Sequence, residues 1–439
     1  MTHRFLISAA CACLLTTPAF GQHSAPLVTR MGNGLTLIIQ PDYAADLVAA
    51  NVWVKAGSAN ETRETNGISH LIEHLVFGAT RTRKPGEVDR EMESLGATLD
   101  ARTSRDWANF STTTASRHLA KALDVLADVV SGAQFHPAEL ERERPIILDE
   151  LARKESDAMT ICRDHLAARL YGDHPYALPV EGTPATIKSI KRQDILDYYH
   201  KHYVAPNMAV VLVGAVDSQQ AIEQVGKAFQ RVAAGPGHPT DPGAVAPVNE
   251  QAAGRITAPY KLNYLAIGFL GPEGSEEADV CATDVMLTYL GFGYRSWMAD
   301  ELKGRMGLAM DVDADFLTQR RRGLISLIAA TTPDNTEKAR GAIFARLASL
   351  RSEGIPEPAL SLAKRSLLGQ YAFQNETYAG RANSLGFYYA VLDDPEFAVR
   401  YVNRVQAVSN EDIIRVARRY MDPATAVVLT VGPEQGGAR

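Results

Sequence analysis

Two stretches far apart in this chain carry one pattern: DILDYYHKHYVAPNMAVVLVG, from Asp194 to Gly214, and DIIRVARRYMDPATAVVLTVG, from Asp412 to Gly432. Each places apolar residues at helical spacing, breaks at a Tyr-x-x-Pro turn (Tyr203 and Pro206, Tyr420 and Pro423), and resumes as an Ala-Val-Val-Leu run closed by glycine. A helix, a turn and a buried strand therefore recur with a period of about half the chain. Such a duplication implies two related halves with separate cores, and 439 residues at 46% hydrophobic content suffice for both.

Within the first half, LTLIIQ, LVAANVWVKAG and AVVLVG run or alternate apolar like strands, and helix-like segments such as HLAKALDVLADVVSGA fall between them. The expected class is α+β: two homologous layered halves, each a mostly antiparallel sheet under one layer of helices. Proline and glycine cluster without apolar periodicity from Ala233 to Gly254, the composition of a linker. The expected division is residues 22–235, a linker at 236–255, and residues 256–439.

The first residues combine one early cation at Arg4, an apolar run from Phe5 to Leu15, and Ala19-Phe20-Gly21 before Gln22. The run is too short to span a bilayer and has the form of a cleaved secretory signal over residues 1–21, so the mature chain is expected to be exported, periplasmic or secreted. Cys11 is weighed as a lipid attachment site, but Ser8 stands where a branched aliphatic residue is wanted. Losing Cys11 and Cys13 with the signal leaves Cys162 and Cys281, enough for one disulfide but no disulfide framework. No later apolar stretch is long enough for a membrane span. Charged residues make up 22% of the chain, interspersed in sign to a net −6, which argues against nucleic acid and against a polybasic membrane patch.

The segment GISHLIEHLVFGAT, Gly67 to Thr80, sets His70, Glu73 and His74 in an otherwise apolar helical run. Positions i, i+3 and i+4 share one helical face, while Leu71, Ile72, Leu75 and Val76 line the others. Two neutral imidazoles one turn apart can grip one divalent ion, and the carboxylate beside them can polarise a water on it. His-x-x-Glu-His inverts the commoner zinc-protease order. A zinc site needs a third protein ligand, and ELERERPIILDELARKESD offers Glu139, Glu141, Glu143, Asp149, Glu150 and Glu155, most of them expected to be ordinary solvated helix charges.

With AGSANE (Ala56 to Glu61), LGATLDARTSRD (Leu95 to Asp106), ERERPIILDE (Glu141 to Glu150) and the paired Tyr-x-x-Pro units, the chain resembles the M16 metallopeptidases, the pitrilysin family. The resemblance is to its shorter class, which includes mitochondrial processing peptidase subunits and bacterial relatives. It implies a zinc endopeptidase with one Zn2+ per chain, held by His70, His74 and Glu150, with Glu73 as the general base. It also implies a supporting role for Glu143, seven residues before Glu150 and so nearly two turns away, although Pro145 between them is expected to kink or restart that helix. Family members add the peptide as a strand to a sheet edge, and Leu99 to Thr114 resembles that edge, with Asp100 where asparagine is usual.

The second half departs from the family. Where relatives carry an arginine and a tyrosine that complete the site, LKGRMGLAMDV places Lys303 and Met310. Lysine lacks the guanidinium fork, and methionine donates no hydrogen bond to an oxyanion. Tyr294, Arg295 and Arg305 lie nearby without a spacing that favours them. In two-subunit members the zinc motif and the arginine–tyrosine pair sit on different chains, so the resemblance implies a homologous partner subunit. The alternatives are a stand-alone homodimer using Lys303, and a non-catalytic structural subunit.

Overall fold

The computed structural model describes residues 25–235 and 241–434; the expected signal at 1–21, Cys11 and the start of the linker lie outside the described residues. The first half builds a six-stranded sheet from β1 (Leu27–Arg30), β2 (Thr36–Pro41), β3 (Leu47–Val54), β4 (Asp100–Thr103), β5 (Ala108–Ala115) and β6 (Met208–Gly214). Their spatial order is β1-β2-β6-β3-β5-β4, antiparallel throughout except that β2 runs parallel to β6. The second half repeats the plan with β7 (Ala252–Thr257), β8 (Asn263–Leu270), β9 (Asp311–Leu317), β10 (Leu324–Thr331) and β11 (Val427–Gly432). Here the order is β7-β11-β8-β10-β9, with β7 parallel to β11. Strand β7 begins inside the proline- and glycine-rich stretch.

The repeated sequence unit occupies equivalent places in both sheets. Helix Arg192–His202 and the turn Ala205–Asn207 lead into β6, as helix Asn410–Tyr420 and the turn Pro423–Thr425 lead into β11.

One helical layer per sheet is too few. Every residue of β3 after Leu47 is buried, as is every residue of β6, so both faces of those strands need cover. One face of the first sheet, with Val48, Ala50 and Val52, packs under helix Leu119–Gly132 of its own half. The other face, with Ala49, Trp53, Val211 and Val213, packs under helix Tyr378–Leu392, which belongs to the second half. The exchange is mutual: helix Ala158–Tyr171 of the first half covers β8, β10 and β11 through Leu166 and Leu170. Each sheet's second cover comes from the opposite half, and period-2 patterning within one half has no means of revealing it.

The contact is closest at Gly386, where a Cβ would collide with the Trp53 indole at Nε1. Gly386→Ala is expected to lower unfolding stability by about 2 kcal/mol, overpacking outweighing the gain in helix propensity. The urea unfolding midpoint measures it, and an unchanged midpoint would mean that the seam yields without cost.

Polar contacts close the same seam. Lys55 pairs with Asp393, which also accepts from Arg320 at 2.8 Å, and Arg381 pairs with Asp42 at 2.8 Å. Cys162 and Cys281 are both buried and unpaired.

Candidate metal centre

Helix Ile68–Leu75 presents His70, Glu73 and His74 because its apolar positions are committed to the core: Ile68, Leu71, Ile72 and Leu75 are all buried. It starts at Gly67, whose φ of 93° is left-handed and whose Cβ would lie 2.8 Å from the Glu181 carbonyl, so only glycine fits there. The buried Glu61 carboxylate fixes that end, accepting from Gly67 N at 2.8 Å, Ser69 N at 2.9 Å and Asn66 Nδ2 at 2.9 Å. Ser69 donates to the Tyr198 hydroxyl at 2.8 Å, which donates to the Gly57 carbonyl at 2.9 Å.

The opposing carboxylates come from helix Pro137–Lys154, which packs against helix Ile68–Leu75. It runs unbroken through Pro145, so the expected restart does not occur. Pro145 and Glu141 are both exposed, so water is at hand for the Glu141 carbonyl that loses its donor. Glu150 Oε2 lies 3.9 Å from His70 Nε2 and 3.4 Å from His74 Nε2. Glu143 Oε2 lies 3.6 Å from His74 Nδ1, behind the ring. The two imidazoles meet edge to face at 4.9 Å.

Among the described residues, one donor atom each from His70, His74 and Glu150 falls within 4.8 Å of the others, the only such group of three. Tetrahedral zinc with bonds of about 2.1 Å holds its donors about 3.4 Å apart, so the His74–Glu150 pair already has that spacing, the His70–Glu150 pair is about 0.5 Å wide of it, and no pair needs to close by more than about 1.4 Å. Two imidazoles and a carboxylate are a donor set of catalytic zinc and leave a fourth position open. Burial, with His74 and Lys154 adding and Glu181 opposing, pushes the His70 pKa down to about 4. That ring is neutral at neutral pH, with a lone pair to give. The residues present fit a zinc ion.

Glu73 is mostly buried, and burial pushes its pKa up; the Thr103 hydroxyl and His74 draw it back, while Glu150 and Glu181 push it further. Thr103 belongs to β4, the edge strand, which among the described residues pairs only with β5 and lies against the His70–His74 helix. Its hydroxyl makes no hydrogen bond of good geometry, so the influence is one of proximity.

Of the remaining acids, Asp149, Glu141 and Glu155 are exposed and stand outside the cluster. Glu139 is not one of the solvated acids: it is buried, accepting from Ala79 N at 2.7 Å and His136 N at 3.1 Å, and so ties the end of one site helix to the start of the other. Its place three residues after His136, with Pro137 between, is a capping pattern that would have identified it. Glu61 has no comparable signal, since its partners lie across a loop. Lys154, bonded to Asp164 and Glu181 behind His70, is also invisible to spacing.

In the second half, Lys303 lies in the π-helix Met298–Arg305 and approaches Asp311 at 3.5 Å, while Met310 is 62% exposed. Neither makes a hydrogen bond or ion pair with His70, His74, Glu143 or Glu150 among the described residues. Arg305 is occupied by Asp300 and Glu301, and Tyr294 is 97% exposed.

Comparisons with known proteins agree on one lineage. A family model described as insulinase (peptidase family M16) matches residues 37–184, and one described as the peptidase M16 inactive domain matches residues 189–367. The probable mitochondrial-processing peptidase subunit beta of Arabidopsis thaliana is 26% identical over 418 residues, covering 93% of this chain and 78% of its own. A zinc protease of Bacillus subtilis, YmxG, is 26% identical over 399 residues, covering 90% and 96%. A protease of Helicobacter pylori superposes with a TM-score of 0.86 at 23% identity over 93% of this chain and 99% of its own. The first half of the periplasmic protease PqqL of Escherichia coli gives 0.73 at 18% identity, over 94% and 92%.

Proposed function

The chain belongs to the M16 metallopeptidase family, and from that premise we propose that it is a zinc-dependent endopeptidase of exported peptides and the zinc-bearing subunit of a heterodimer. The observation that carries the reading is the convergence of His70 and His74 on one oxygen of Glu150, with Glu73 on the same helical face.

His70, His74 and Glu150 would hold the ion. When bound, zinc supplies a Lewis acid that polarises a carbonyl and brings the pKa of water to about 7. The protein's own part is as follows. Strand β4 offers an open edge on which an extended peptide can pair through its backbone, and this lays the scissile bond across the helix carrying Glu73. Glu73 takes a proton from the attacking water as its oxygen bonds to the carbonyl carbon. The carbon–nitrogen bond then breaks, and Glu73 returns the proton to the leaving amine. Glu143, behind His74, holds that ring's tautomer and orientation. Export rests on the signal-like first 21 residues.

The lone chain does not supply an arginine–tyrosine pair at Lys303 and Met310, which supports a partner that does. The direct test is metal analysis of the purified chain at neutral pH beside hydrolysis of an unstructured peptide. About one zinc per chain is expected, lost in His74→Ala together with activity; no stoichiometric zinc, or zinc indifferent to that substitution, would sink the reading.

A further inference from the structure

A cavity of about 890 Å³ opens along the seam between the halves, on the face of the first sheet away from the His70–His74 helix. Strand β4 forms its rim. Thr98 before the strand, and Asp100 and Arg102 on it, line the cavity, while Thr103, one residue on, acts on Glu73 across the strand. A peptide paired to the β4 edge alternates its side chains in the same way, one set toward Glu73 and the next into the cavity.

The cavity's chemistry is uneven. Trp53 and Trp107 meet at 4.8 Å with their rings tilted by 58°, and Trp107 meets Phe387 at 6.5 Å, forming an apolar wall under the rim. On the far side, helix Glu277–Gly291 contributes Asp284, a carboxylate among Tyr371, Tyr388 and Tyr401. Tyr401 donates to its Oδ2 at 2.6 Å. Asp315 stands near enough to repel it, and no lysine, arginine or histidine pairs with it among the described residues. Burial and that repulsion push its pKa up to about 7. Asp100 and Arg102 at the mouth offset each other, so the unbalanced acid lies inside, where an arriving cation favours its ionised form. A carboxylate with one oxygen uncommitted, backed by ring faces, suits a cation on a long apolar stem.

Building on the endopeptidase reading, we propose that this seam cavity is a side-chain subsite for the peptide on β4, and that it selects a lysine or arginine through Asp284. The aromatic wall takes the methylene stem and Asp284 receives the charged head. The subsite sits between the halves, so specificity depends on the helix exchange that joins them.

The test uses short unstructured peptides that differ only in lysine or norleucine, with that position walked along the sequence. Binding is read by fluorescence anisotropy on the full chain carrying Glu73→Gln, and hydrolysis on the unsubstituted chain. At one position lysine should bind about ten- to a hundredfold tighter than norleucine, the range for a charge-assisted hydrogen bond away from water. Asp284→Asn should bring that ratio close to one. Should that variant melt early, Gln370→Lys, which places the protein's own ammonium on the cavity wall, should collapse the ratio equally. Equal binding of the two peptides at every position, or a ratio that survives both variants, overturns the subsite. A ratio that collapses on substitution in a chain that hydrolyses nothing, even when mixed with a homologous chain bearing the arginine and tyrosine, upholds the subsite and removes the endopeptidase reading. Hydrolysis without a ratio does the reverse.

Discussion

Glu73→Gln should reduce kcat for peptide hydrolysis about a thousandfold, within the range for loss of a positioned general base, and leave zinc content unchanged. Glutamine matches glutamate in shape, and the side chain stands outside the group formed by His70, His74 and Glu150. What it removes is the capacity to accept a proton. Burial raises the Glu73 pKa in the metal-free chain, a shift that a bound dication would oppose, so the assignment rests on position, on the same helical face as His70 and His74. The comparison with His74→Ala gives the result its meaning: that variant should lose metal and activity together, whereas Glu73→Gln should lose activity alone. Near-normal turnover by the glutamine variant would take Glu73 out of the proton-transfer step, whatever the metal content.

The two-half architecture was legible because the helix–turn–strand unit is written twice, and hydrophobic period carries that information along the chain. The helix at His70 was equally legible, since three functional side chains on one apolar helix conflict with simple core packing. Other features depend on which surfaces meet after folding. The second cover of each sheet comes from the opposite half, and Ala49 alternating with Ala50 shows that both faces are buried without showing by what. Glu150 is one acid among several on its helix, and spacing alone left it level with Glu143 and Asp149. The family resemblance singled it out, and the fold places it against both imidazoles. Pro145 misled because a proline rule describes the lost hydrogen bond and not its surroundings, which here are an exposed stretch of helix open to water. Asp284 gave no sign in the sequence, being an acid within an ordinary helix until the seam closes around it.

A homologous chain bearing the arginine and tyrosine should raise the peptidase activity of this chain by about a hundredfold or more, the effect of restoring one or two donors to a developing oxyanion. Lys303 can offer a point charge, but it is exposed and drawn toward Asp311, and Met310 offers no donor. The lone chain is therefore left with zinc and base but without full stabilisation of the tetrahedral stage. Mixing the purified chains at matched concentration and following kcat, with the mass of the complex measured in parallel, separates the alternatives. Activation together with a one-to-one complex supports the heterodimer. Full activity of this chain by itself as a homodimer, lost on Lys303→Ala, would instead assign the arginine's work to lysine and make the partner unnecessary. The two outcomes also differ in salt dependence: a lone ammonium acting from an exposed site is screened as ionic strength rises, whereas a guanidinium fork enclosed between two subunits is screened far less.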